Sequence, residues 1–104
     1  MTFQAIKDPE AVLDYSIRWT DWLDGDEITD STWSISSSES PVTLTVDSTS
    51  YGSDTTVSPN APNAIAKVWL SSGTVDMSYQ VTNHITTSAG REDDRTIVIR
   101  VQNK

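Results

Sequence analysis

The groups in this chain that could do chemistry are carboxylates, a single histidine and four tryptophans; there is no cysteine. The acids gather in two places. Asp21, Asp24, Asp26, Glu27 and Asp30 form one run, and Glu92, Asp93 and Asp94 form a second between Arg91 and Arg95. Calcium takes roughly six to eight oxygen ligands, which loops between strands can supply. The spacing of the first run, however, does not match the twelve-residue calcium loop with its glycine and closing glutamate, so it reads as a solvated acidic loop. The second, bracketed by arginines, reads as a self-neutralising hairpin tip. His84 has no second histidine and no cysteine with which to share a metal or activate a nucleophile, and it reads as a surface or interface residue. Paired carboxylates cleave glycosidic bonds, but no spacing here selects a pair. The serines lack a nucleophile-elbow context, and Gly25, Gly52, Gly73 and Gly90 are isolated, so no phosphate-cradling loop forms. No enzymatic activity, no metal and no cofactor are expected.

The tryptophans point elsewhere. Trp19 and Trp33 are in phase with apolar neighbours, whereas Trp69 falls out of phase with Val68 and Leu70, and Trp22 lies in the acidic run. A tryptophan outside a core combines a large apolar body with one N–H and often anchors a partner protein. Trp22 and Trp69 are therefore the expected interface residues, with Arg91 and Arg95 adding charge selectivity. The alternative for Trp69 is a second core on the far side of its sheet.

The elements that must position these residues are strands. Residues 79–86 place Tyr79, Val81 and Ile85 on one parity and Gln80, Thr82, His84 and Thr86 on the other, a period of two with one apolar side. Residues 96–101 repeat it with Ile97, Ile99 and Val101. Upstream, Leu13, Tyr15, Ile17 and Trp19 alternate with Asp14, Ser16 and Arg18; Val42, Leu44 and Val46 alternate with threonines; Val68 and Leu70 continue Ala64 and Ala66. Residues 27–35 form another strand, in which the phase changes between Ile28 and Trp33 and suggests a bulge. Residues 3–6 read as a short edge strand, Asp8-Pro9-Glu10 as a turn capped by Asp8, and residues 51–57 as a further short strand. Residues 58–63 read as an exposed loop, because Pro59 and Pro62 cannot serve a central ladder. The expected core is Leu13, Tyr15, Ile17, Trp19, Trp33, Ile35, Val42, Leu44, Val46, Val68, Leu70, Tyr79, Val81, Ile85, Ile97, Ile99 and Val101. About seven strands at this spacing, with a tyrosine opening the penultimate one, predict an all-β antiparallel sandwich of the immunoglobulin or fibronectin type III class.

With 104 residues the chain suits one domain spanning residues 1–104, in which residues 1–12 are an extended N-terminal segment. The formal charge of −8 disfavours phosphate backbones, and the few bases are dispersed, so nucleic acid is not an expected partner. No signal segment and no apolar run long enough for a membrane span is visible, and no membrane partner is expected. Absence of cysteine suits assembly in a reducing cytoplasm.

Three segments carry a resemblance. Residues 7–19 (KDPEAVLDYSIRW), 68–74 (VWLSSGT) and 79–91 (YQVTNHITTSAGR) are similar to small proteins encoded among the structural genes of tailed bacteriophages, described as fibre-tail adaptors or head–tail connector components. The resemblance implies a virion building block with an immunoglobulin-like fold, assembled in the host cytoplasm and bound in many copies to tail, connector or fibre proteins around a symmetric assembly. It supplies no catalytic residues. On that footing the expected function is a structural adaptor joining tail or connector to fibres. A capsid decoration protein or an immunoglobulin-like carbohydrate- or cell-surface-binding module is the alternative, and a hydrolase using paired acids ranks below both.

Overall fold

Alternating sequence gives alternating burial, and the computed structural model shows it most clearly over residues 61–71, 78–87 and 92–101. It describes the backbone of residues 2–102 and the side chains of residues 6–102; Met1, Asn103 and Lys104 of the expected 1–104 span lie outside the described residues. The elements are β1 (Thr2–Lys7), β2 (Leu13–Arg18), α1 (Thr20–Leu23), β3 (Ile28–Ser36), β4 (Thr45–Asp54), β5 (Ala61–Ser71), β6 (Ser78–Thr87) and β7 (Glu92–Val101). They form a four-stranded sheet, β1-β7-β6-β3, and a three-stranded sheet, β2-β5-β4. Tyr79, Val81, Ile85, Ile97, Ile99 and Val101 from the first sheet meet Ile17, Ala64, Ala66, Val68 and Leu70 from the second, all buried. The small alanines of β5 let the two layers approach where the larger side chains of β6 and β7 need room.

Labelled A to G in chain order, the sheets read A-G-F-C and B-E-D. An immunoglobulin sandwich groups B, E, D and C, F, G in the same way but keeps its first strand beside B. Here β1 has crossed over and runs parallel to β7, with Thr2 opposite Thr96 and Lys7 opposite Val101. The other ladders are antiparallel, as the sequence predicts. β1 and β7 are far apart in sequence, so no tight hairpin dictates their relative direction, and a parallel pair is geometrically open to them. The opening tyrosine of β6 does what its position predicts: the Tyr79 hydroxyl accepts the Thr74 backbone N–H at 2.9 Å and donates to Glu39 at 2.7 Å. This is the corner bond that pins the turn before the penultimate strand.

Several boundaries differ from the sequence-based expectation. Val42 lies in the connection before β4, and residues 45–54 form one long strand where two short ones were expected. β5 begins at Ala61 and so includes Pro62, but there it pairs only with β4, just where the β4/β5 register slips between Gly52 and Asp54. A proline is tolerated at such an irregularity. The charged run 92–95 is the start of β7 and not a loop tip, with Asp94 opposite His84 and Glu92 opposite Thr86. The expected bulge in β3 is present, between Ile28 and Asp30. Within the expected core, Leu13 and Val42 are exposed: Leu13 opens β2 at the edge of the layer and Val42 lies in the connection before β4.

The topology sorts the connections by end. Residues 19–27 and 55–60 share an end, since β2 and β4 both run toward the start of β5. The β6–β7 turn joins them through the Ser88 N–H, which donates to the Glu27 carbonyl at 2.9 Å. Residues 8–12, 37–44 and 72–77 meet at the other end, where the Lys7 ammonium donates to the Ser72 carbonyl and Thr43 bonds Thr74.

Candidate functional site

The residues singled out as interface candidates fall into two places. Trp22, Arg91 and Arg95 come together at the end formed by residues 19–27, while Trp69 stands alone on a sheet face.

At the first place, β2 runs into the short helical turn α1, and the two tryptophans on either side of that junction touch. Trp19 and Trp22 meet edge to face, with centroids 5.3 Å apart at 71°. Each ring then receives an arginine from the β7 side. The Arg95 guanidinium lies 4.1 Å from the Trp19 ring centroid, and that of Arg91 lies 4.3 Å from the centroid of Trp22. Planar, weakly hydrated guanidinium groups stack well on indole, each contact contributing ~0.5–2 kcal/mol. Trp19 is fully buried and its indole N–H donates to Asn83 Oδ1 at 2.9 Å. Asn83 in turn donates to Ser31 and to the Thr32 carbonyl, so this buried amide ties β2 to β3 and β6.

Arg91 also ends the helical turn. Its guanidinium donates to the Leu23 carbonyl at 2.7 Å, which also accepts the Asp26 N–H at 3.0 Å, and to the Trp22 carbonyl at 3.3 Å. Asp26 orients it through Nε at 3.2 Å and also accepts from the Ser88 hydroxyl at 2.6 Å. Bonds from Ser88 first, then Thr87, Glu27 and Arg91, hold the Asp26 carboxyl well below the usual carboxylate range. Arg95 donates to the Arg18 carbonyl at 2.9 Å. Both arginines are therefore committed within the fold to groups other than their sequence neighbours, Arg91 pairing with the Asp26 carboxylate and Arg95 with an indole face and a backbone carbonyl. Two acids of the second run, Glu92 and Asp94, face His84 on the outer side of the four-stranded sheet. Glu92 bonds its Nε2 at 2.9 Å and Asp94 its Nδ1, and these two carboxylates, Glu92 the more, raise the imidazole's pKa.

Trp69 occupies the outer row of β5, the middle strand of its sheet, opposite Asp14 on β2 and Ser48 on β4. It is 40% exposed, so the alternative of a second core over that face does not hold. Its row continues through Lys67, which lies 3.8 Å from Asp14, to Ile65. Small residues border it: Ser16 on one side, Ser50 and Gly52 on the other, enclosing a shallow depression of about 280 Å³. A second depression of about 240 Å³ lies between residues 19–27 and 55–60, lined by Leu23, Pro59, Pro62 and Ala64. Both fall below the usual range for small-molecule pockets, ~300–1,000 Å³.

The first acidic run does not converge. Asp26 turns inward, Glu27 accepts from Asn63 at 3.0 Å, Asp21 lies 3.8 Å from Arg18, and Asp24 and Asp30 are exposed. Among the described residues no group of three or more histidines and acids is arranged to hold a metal ion, and no helix is long and apolar enough to cross a membrane. Sequence reasoning missed three buried polar anchors. Asn83 shares the parity of Val81 and Ile85, a signal that was available. Asp54 accepts from Thr20, Thr56 and Arg18, with Arg18 Nε at 2.5 Å, and is held below the usual carboxylate range by the Thr20 bond first, then those of Thr56 and Arg18. Lys7 is fully buried, and that burial lowers its pKa. Neither Asp54 nor Lys7 has a local pattern that reveals its burial.

Residues 7–100 match the protein-family model Gp77, described as podophage GP4 fiber-tail adaptor protein gp77. No curated protein matches the chain.

Proposed function

Because the chain belongs to the podophage fiber-tail adaptor family and is thus a structural adaptor protein of a phage tail, we propose that it joins a tail or connector protein to a fibre. In this reading it acts as a single immunoglobulin-like domain, in several copies around the tail axis, without catalysis or cofactor. The observation that carries the reading is the extent of the family match, which runs from the last residue of β1 to the next-to-last residue of β7. The exposed row of Trp69 supplies one contact surface. An outward tryptophan on the middle strand of a sheet, flanked by the shorter side chains of Asp14 and Ser48, lets a partner segment lie across it.

The test is incorporation into particles. Fractionated phage should contain the chain with the tail and not with free heads. Trp69→Ala should reduce its recovery in particles while its melting temperature stays close to wild type. A partly exposed tryptophan should cost less than the ~3–5 kcal/mol of a buried one. A variant that folds and is incorporated at the wild-type level removes Trp69 from the interface; absence of the chain from tails removes the adaptor function.

A further inference from the structure

The three connections at the end opposite the Trp19–Trp22 stack carry a different surface. They are locked to one another before any partner arrives. The Lys7 ammonium donates to the carbonyls of Ser72 at 2.7 Å and Asp8 at 2.9 Å, joining residues 8–12 to 72–77. Glu39 accepts from the Thr43 N–H at 2.8 Å and from the Tyr79 hydroxyl, while Thr43 and Thr74 hydroxyls lie 3.0 Å apart. On this ordered base the aliphatic side chains point outward: Val12 is 56% exposed, Val42 39%, Leu13 37% and Val75 36%. Every one of the three connections contributes. Of the large apolar residues exposed among those described, Ile6, Tyr51 and Trp69 are spread over three different strands, whereas these four gather at the joined loops of one end.

The border of the patch is acidic. Glu10, Asp14, Asp47 and Asp76 lie at this end, and Glu39 is held ionised at its base. The neighbouring cations do not balance them. Lys7 is sealed inside, and Lys67 and Arg100 lie 3.8 and 3.9 Å from Asp14 and Asp76, close to single acids. A second copy of this chain would bring one acidic border against another, in a molecule of net charge −8. From this we propose that the Val12–Leu13–Val42–Val75 end is a protein-docking surface for a segment of another virion protein that presents apolar side chains flanked by lysine or arginine. The loops are already ordered, so docking costs little further entropy. That the partner belongs to the particle rests on the adaptor reading; the chemistry of the partner rests on the patch itself.

Photo-crosslinking in assembled particles tests this. A photoreactive side chain is placed at position 42 or 75, and at position 21 on the opposite end as a control. The expected result is adducts from 42 and 75 to one other protein, within a segment containing lysine or arginine, and none to it from 21. The double variant Val42→Asp, Val75→Asp should keep the wild-type melting temperature, since both sites are exposed, yet fall about tenfold or more in incorporation. Adducts to another copy of this chain, to an acidic or uncharged segment, or to nothing overturn the proposal, as does normal incorporation of the double variant. Loss of the whole chain from wild-type tails would instead overturn the adaptor reading.

Discussion

Trp19 has each part of its side chain engaged: one face under Arg95, an edge contact with Trp22, and the indole N–H on buried Asn83. Truncating it removes the packing and strands an amide oxygen in a dry interior. Trp19→Ala should therefore cost at least the ~3–5 kcal/mol of a buried aromatic, enough to unfold many small domains. Arg95→Ala removes only the stacking and one bond to a backbone carbonyl, and should cost ~0.5–2 kcal/mol. Chemical denaturation of the two variants checks the order; equal losses would mean that the arginine carries structure beyond its stack. The burial of Trp19 is legible in its parity with Tyr15 and Ile17. Its arginine lid is not, because Arg95 is brought there by the folding of a strand that begins more than half the chain away. The same distance explains why the arginines at 91 and 95 read as partners of their sequence neighbours when their actual partners are Asp26, Trp22 and Trp19.

Strand identity followed directly from side-chain alternation in β2, β5, β6 and β7, where one face is buried and the other wet. It failed in β4, whose residues are nearly all exposed, so that its sequence carries almost no period to read. The helical turn α1 escaped notice because a four-residue helix has too few positions to show a period. One turn does show its constraint. Gly73 has φ +99°, and a Cβ there would come within 2.7 Å of Val101 Cγ2. Gly73→Ala combines backbone strain with overpacking against the end of β7, and should cost ~2–4 kcal/mol. Gly52 and Gly90 have open space at the same test. A melting temperature for Gly73→Ala that matches wild type would show that the corner yields.

Three carboxylates tie distant parts of the molecule together: Asp26 joins the loops of one end, Asp54 fastens β4 to β2 and α1, and Glu39 closes the other end. Each has a folded-state pKa below its ordinary value, that of Glu39 lowered to about 2 by bonds from Thr74, Thr43 and Tyr79. Unfolding at acid pH therefore takes up protons, so the stability these groups supply is present above the ordinary carboxylate range and lost as pH falls through the folded values. The melting temperature should decline steadily from about pH 4.5 toward pH 2. Glu39→Gln should lower it at neutral pH and flatten that decline; a wild-type profile level across the interval would contradict this assignment. Seen whole, the sandwich has unlike ends, one clamped by arginines over tryptophan, the other aliphatic with an acidic border. Its first and last strands lie side by side and point the same way, paired from Thr2–Thr96 to Lys7–Val101. A pull that draws the start of the chain one way and its finish the other would load that whole ladder at once, in shear, where a hairpin would peel open bond by bond. Under such a load the crossed-over first strand would work as a mechanical clasp.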